Sequence, residues 1–249
     1  MKKFIFLLLM ASPLFAEEIA APLSGAKNSY TIENTSYKIG YAENYGIPVW
    51  EMHILKPDML VGQANVNEDW QVDSRVKGYR ISAKDIANIK FEAVQLFPKT
   101  HAMNDTTEQE SSFFTSNIVF MYKQLKESLW DRTTKEFEDI AKKVGKVYVY
   151  AGPIFEKDVL KIKYINNNRI ALPTRFYRLI LYPEGEKFVY KCYCFQNRIP
   201  TDYERICELE EYACNLYQLE ADTNIDFFDR EIDSNFRQDK MKYLETRVK

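Results

Sequence analysis

One helical period dominates the middle of the chain: from Leu125, the positions Leu129, Trp130, Thr133, Phe137, Ile140, Ala141 and Val144 recur at steps of three and four, and Gly145 supplies the stop. A stripe of that kind needs another element to cover it. Candidates follow directly. Val147 to Tyr150, Phe176 to Tyr182 and Phe188 to Phe195 are β-rich runs, and the turn Pro183-Glu-Gly-Glu186 joins the last two as a hairpin. Upstream, Trp50, Met52 and Ile54 alternate with Glu51, His53 and Leu55 after a turn around Gly46 and Pro48, which predicts a strand with one buried face. On that reading His53 lies at the surface, on the side opposite Trp50. Residues 202–217 return to helical spacing through Tyr203, Ile206, Leu209, Tyr212, Ala213 and Leu216. Interleaved strands and helices with hairpins indicate α+β rather than a parallel doubly wound sheet.

A length of 249 residues at 46% hydrophobic and 14% aromatic content is enough for one buried core, and no repeat interrupts it. The ends read differently. Lys2-Lys3, the apolar run Phe4 to Met10 and the small-residue zone Ala11 to Ala16 form the pattern of a secretory signal over residues 1–16, too short to span a bilayer stably. Cleavage is expected after Ala16, with a periplasmic or secreted product that carries no further membrane span. Residues 17–36 read as a loose mature N-terminus, 37–228 as the globular domain, and 229–249 as a charged tail or peripheral helix.

The 34 Lys plus Arg, less Lys2 and Lys3, stand against 36 Asp plus Glu, so the mature chain carries a charge of about −4 by that count. Tight nucleic-acid binding rests on basic residues neutralising phosphates, and this balance disfavours it. Cys192, Cys194, Cys207 and Cys214 lie in one short region, and export would place them where disulfides form. Cys192 and Cys194 share a strand face, Cys207 and Cys214 a helix face, so a double strand-to-helix staple is expected, with pairing order open. A four-thiolate zinc site is the sharper alternative, but spacings of one, twelve and six intervening residues match no common zinc pattern.

Several stretches, taken in order, resemble one known family. They are Gly40-Tyr41 with Pro48-Val-Trp50; Trp70-Gln-Val-Asp73; Phe114-Thr-Ser-Asn-Ile118; Trp130 in the long helix; Ala151-Gly-Pro-Ile-Phe155; Ile170 through Ile180; and Glu208-Leu-Glu210 before Ile225-Asp-Phe-Phe228. The chain is similar here to the secreted DNA/RNA non-specific endonucleases. The resemblance implies an antiparallel sheet flanked by helices, with a ββα-metal site.

The positions that carry that family's chemistry hold other residues. Its general base is the His of an Asp-Arg-Gly-His tetrad followed closely by Pro; Pro98 aligns the tetrad with Glu92-Ala-Val-Gln95, which puts Gln95 at the base. An amide accepts no proton near neutrality, and a general base is worth roughly 10² to 10⁴-fold. The Asn that holds Mg²⁺, four residues before the helix Trp, is Lys126, a positive group with no lone pair for a hard cation. The Glu four residues after that Trp is Thr134. The phosphate-steadying Arg two residues before Trp70 is Glu68, and the Pro-Gln pair after the Ser-Asn motif is Phe120-Met121. No catalytic residue and no metal ligand is therefore assigned.

The expectation is a pseudonuclease that works by binding, with no cofactor and with an unidentified protein or an anionic ligand as partner. Two alternatives stand beside it. One is an active endonuclease using Mg²⁺ with a relocated base, His101 aided by Glu92 or Asp105. The other is nucleic-acid binding without cleavage. Asn117 matches an active-site Asn of the family, yet a buried loop or cap residue is the simpler reading. Gln95, Lys126, Asn117 and Thr134 are candidates to line a polar cleft, with Lys126 offering an ammonium to an anion. The tyrosines fall mainly at alternating strand positions and are expected to pack rather than stack on bases, and Glu208 to Glu211 reads as a solvated face.

Overall fold

The structure, a computed structural model, describes residues 29–228 apart from 64–65 and 186. The signal-like segment and the charged tail lie outside the described residues. Ten strands follow in chain order: β1 (Ser29–Glu33), β2 (Tyr37–Ala42), β3 (Ile47–Leu55), β4 (Glu92–Gln95), β5 (Ile118–Met121), β6 (Val147–Ile154), β7 (Lys163–Ile165), β8 (Ile170–Leu172), β9 (Arg175–Glu184) and β10 (Lys187–Gln196). Six of them make one antiparallel sheet in the order β1-β2-β3-β6-β9-β10. The α+β expectation holds. The β9–β10 hairpin forms with Glu184 opposite Lys187, and Gly185 adopts φ +63° in the two-residue turn.

The strand β1 occupies the edge of the sheet, so the loose N-terminus read over residues 17–36 does not extend into its described part. Polar Ser29, Thr31 and Glu33 blurred the alternation there. β3 departs from its one-faced reading as well. It sits in the interior of the sheet, and nearly all of Ile47 to Leu55 is buried. One face packs Trp50 and Met52 with Tyr148, Tyr150, Tyr177, Leu219 and Phe227; the other packs Leu55 with Val149, Ala151, Ile180 and Phe137. Alternation in β3 thus separates two buried layers rather than core from solvent.

The long helix runs as α3 (Lys123–Leu125), a π-turn (Lys126–Trp130) and α4 (Asp131–Val144), and Gly145 ends it at φ +90°. In the π-turn the Asp131 N–H reaches back to Lys126 O, an i→i+5 bond. Phe137 and Ala141 are fully buried against the sheet. Burying a Phe of this kind contributes about 1.5–3 kcal/mol. Shorter helices cap the periphery: α1 (Ala83–Ala87), α2 (Thr106–Ser111), α5 (Asp202–Ile206) and α6 (Leu216–Thr223).

Residues 202–217 are not one helix. They form α5, a 3₁₀ turn (Leu209–Tyr212) and the start of α6, with Ala213 bridged to Tyr193. The double staple fails with it. Cys194 pairs with Cys214, whereas Cys192 and Cys207 are free and buried, and Cys207 lies apart, near Glu204 O and Tyr212 Oη. Only three sulfurs converge, so the four-thiolate zinc arrangement has no basis here.

Candidate functional site

The strands β4 and β5 pair antiparallel, and the long helix follows β5 after one residue, so these three elements make a ββα unit. Gln95 ends β4 opposite Ile118. Its amide is committed to the fold: Nε2 donates to Ser112 O and Oγ at 3.0 Å each, and Oε1 accepts from Lys99 N at 3.2 Å. Gln95 thereby ties β4 to the C-terminal end of α2 and to the turn beyond Pro98.

Asn117 is fully buried one residue before β5. Its Oδ1 accepts from Phe97 N at 2.9 Å, and its Nδ2 donates to Phe97 O and Ser112 O at 2.9 Å each. Every side-chain bond goes to backbone, which makes it a strut between loops; it does not cap the following helix. Lys126 opens the π-turn and pairs with Asp131 at 3.1 Å, both partly exposed. Glu68 pairs with Lys99 on the surface. Thr134 donates to Trp130 O at 3.2 Å and accepts from Arg178 Nη1 at 3.2 Å. These residues therefore do not converge as the lining of one cleft: Asn117 is closed off, and Lys126 finds its partner on its own helix.

A different polar group fills the space between the sheet and α4. Glu51, Ala151 and Arg178 stand in register across β3, β6 and β9, and the small Ala151 leaves room for the long side chains on either side. Arg178 is wholly buried, with its guanidinium carbon 4.5 Å from the Trp130 ring centre and 5.2 Å from that of Phe137. Burial lowers its pKa to about 10, while the nearby Glu51, Asp131 and Glu138 oppose the shift, so it stays charged at neutral pH. Glu51 Oε1 lies 2.6 Å from His53 Nδ1, His53 Nε2 lies 2.9 Å from His101 Nδ1, and His101 Nε2 lies 3.5 Å from Glu138 Oε1. The last is long for a hydrogen bond.

His53 is 1% exposed, which corrects its placement at the surface. The strand's second face is closed by the turn Lys99–Ala102, which delivers His101 onto it. His101 is 0% exposed, and burial lowers its pKa to about 3. The two residues expected to aid it are placed otherwise: Asp105 caps α2 through Glu108 N, and Glu92 is exposed at the far end of β4. Glu51, Glu138 and Arg178 carried no sequence signal as a group, since they sit on three elements far apart in the chain. A buried charge inside an apolar run, as at Arg178 between Tyr177 and Leu179, was the one visible hint.

The sequence model of the DNA/RNA non-specific endonucleases matches residues 17–234 of the chain. The protein belongs to the DNA/RNA non-specific endonuclease family. Within the family it is 24% identical to human mitochondrial endonuclease G over 202 residues, which is 77% of this chain and 67% of the relative. It is 24% identical to nuclease C1 of Cunninghamella echinulata var. echinulata over 212 residues, covering 80% of this chain and 82% of that one. Among solved structures, EndoG in its complex with EndoGI superposes with a TM-score of 0.71 at 18% identity, covering 80% of this chain and 87% of that one. The fold is thus the ββα-metal nuclease fold.

Family members use a metal ion, typically Mg²⁺. Lys126 and Thr134, at the positions to which the sequence resemblance assigns that ion, do not suit one. Mg²⁺ wants near-octahedral oxygen ligands, whereas Lys126 presents an ammonium, and the Thr134 hydroxyl is shared between Trp130 O and the Arg178 guanidinium. Among the described residues, the one close group of three potential metal ligands is Cys192, Cys194 and Cys214, far from hard-cation chemistry.

Proposed function

We propose that the protein is a pseudonuclease: a family fold kept for binding or interaction, without phosphodiester hydrolysis. The observation that carries this reading is Gln95: at the position the sequence resemblance gives to the base, its amide spends its bonds on Ser112 and Lys99. Lys126 and the Thr134–Arg178 contact support it, because they bring positive charge to the helix face that would hold a cation. His101 is a poor substitute. A general base must reach the attacking water, and His101 is enclosed, with one nitrogen bound to His53 and the other facing Glu138.

The partner we infer is a protein or an anionic ligand rather than nucleic acid, in view of the acidic balance and of Glu68 at the family's phosphate-steadying Arg. The Cys194–Cys214 disulfide supports export to the periplasm or beyond. Because the curated relatives are nucleases, any retained activity would be metal-dependent cleavage of DNA or RNA.

The test is incubation of the chain from Glu17 with plasmid DNA and with RNA, in Mg²⁺, Mn²⁺ or chelator, across a salt series. Intact, unshifted nucleic acid in every lane is expected. Chelator-sensitive cleavage lost in His101→Ala would overturn the pseudonuclease reading in favour of a relocated base. A salt-sensitive mobility shift without cleavage would overturn the choice of partner.

A further inference from the structure

Three sulfurs meet where β10 faces the segment entering α6. Cys192 and Cys194 lie on one face of β10, separated only by Tyr193, and both pack toward the same core layer. The antiparallel bridge between Tyr193 and Ala213 sets Cys214 opposite Cys192, and Cys214 N donates to Cys192 O at 2.8 Å. Cys214 is bonded to Cys194, yet Cys192 Sγ stands only 2.9 Å from Cys214 Sγ. All three sulfurs lie within 4.8 Å of one another. Residues two apart on a strand are separated by about 6.8 Å, and the Cys214 sulfur, set beside Cys192 and bonded to Cys194, reaches both. A surface groove lined by Lys187, Tyr190, Lys191 and Glu210 has Cys214 and the nearly closed Cys192 in its wall.

We propose that this cluster is a thiol–disulfide exchange site, in which Cys214 alternates between Cys194 and Cys192 and the exchange presents a reactive thiol at Cys194 to an external disulfide. In the internal step Cys192 loses its thiol proton and its sulfur bonds to Cys214. The Cys194–Cys214 bond breaks, and Cys194 departs as a thiolate that takes up a proton. One disulfide and one thiol exist before and after, so no oxidant or reductant is consumed.

Exposure is what changes. Cys192 is 3% exposed, whereas Cys194 is half-buried. The exchange therefore moves the free thiol from a closed position to a more open one. The Cys194 thiolate then attacks an external disulfide, forming a mixed disulfide and releasing the other half as a thiolate. Burial pushes the Cys192 thiol far above its ordinary range, which keeps the thiolate scarce and the internal step slow. Cys207, held apart near Glu204 and Tyr212, takes no part.

The probe is glutathione disulfide added to the oxidised full chain, followed by alkylation of free thiols and peptide mass spectrometry with cleavage at Tyr193 to separate Cys192 from Cys194. The expected result is a glutathione adduct on Cys194 together with a Cys192–Cys214 cross-link. The adduct should fall to background in Cys192→Ser and be unchanged in Cys207→Ser. An adduct confined to Cys192 or Cys207, or a Cys194 adduct that survives Cys192→Ser, would overturn the proposal. If Cys192→Ser does not fold, the native chain decides alone: a sole Cys194–Cys214 cross-link with Cys192 alkylated throughout also overturns it.

Discussion

His53 Nε2 lies 2.9 Å from His101 Nδ1 in the interior, and the other ring nitrogen of His53 lies 2.6 Å from Glu51 Oε1. An ionised Glu51 only accepts, so the neutral arrangement of protons runs one way. His53 donates through Nδ1 to Glu51 and accepts at Nε2 from His101 Nδ1–H. His101 Nε2 is then a lone pair facing the Glu138 carboxylate, which accounts for a separation of 3.5 Å.

This arrangement makes the fold sensitive to acid. His101 has a pKa of about 3 in the folded protein against 6.5 as its ordinary value, because burial disfavours the charged ring. A depressed pKa gives stability that is fully present above 6.5 and is lost as pH falls from 6.5 toward 3. The loss is expected to total on the order of a few kcal/mol. Urea midpoints measured from about pH 8 to pH 4 should fall more steeply for the native protein than for His101→Gln. Parallel curves would show that His101 is not the group responsible.

Asn117 should prove to be a structural residue of first rank. Asn117→Ala leaves Phe97 N and Phe97 O without their side-chain partner in a fully buried place and strips Ser112 O of one of its two donors, the other being Gln95. The expected cost is roughly 2–4 kcal/mol, the range for several unsatisfied buried groups. Asn117→Asp should cost at least as much at neutral pH, because it sets a carboxylate against two carbonyls. Chemical denaturation checks both, and a variant within about 0.5 kcal/mol of the native protein would refute the strut assignment.

Trp130, Phe137 and Ala141 were legible because helical periodicity is a local property, and so was the β9–β10 hairpin. The resemblance to the endonucleases was likewise readable, since it rests on short stretches in fixed order. His53 was misplaced because alternation in β3 shows two faces without saying that both are covered. The cover for its second face comes from Lys99–Ala102, which no local pattern could connect to residue 53. The cysteine pairing failed for a similar reason: helical spacing through 202–217 hid the break at Cys207, where the backbone turns extended.

Gly40 should resist any side chain. It stands opposite Trp50 across β2 and β3, and a Cβ there would overlap the Trp50 indole. Trp50 is buried in the aromatic layer and cannot retreat without displacing its neighbours. Gly40→Ala is expected to destabilise by about 1–3 kcal/mol or more through overpacking. The loss should appear as a lower melting temperature with altered tryptophan fluorescence. Gly145→Asn, in open space at φ +90°, is the comparison and should cost less.

On the proposed pseudonuclease reading, reconstruction should separate two halves of the chemistry. Gln95→His restores an imidazole at the end of β4 but leaves Lys126 beside Asp131, so the single variant is expected to leave plasmid DNA intact. Lys126→Asn removes the ammonium, and Thr134→Glu adds a carboxylate one helical turn beyond Trp130, where Arg178 already donates to the side chain. Nicking that needs Mg²⁺ and stops with chelator is expected first in the triple variant. Cleavage by Gln95→His alone would mean that Lys126 does not stand in the metal's place and that a cation finds other oxygen ligands. An inactive triple variant that keeps the native melting temperature would place the decisive loss elsewhere. Arg178 would then be the next residue to change, because its guanidinium would pair with the carboxylate introduced by Thr134→Glu before any cation could.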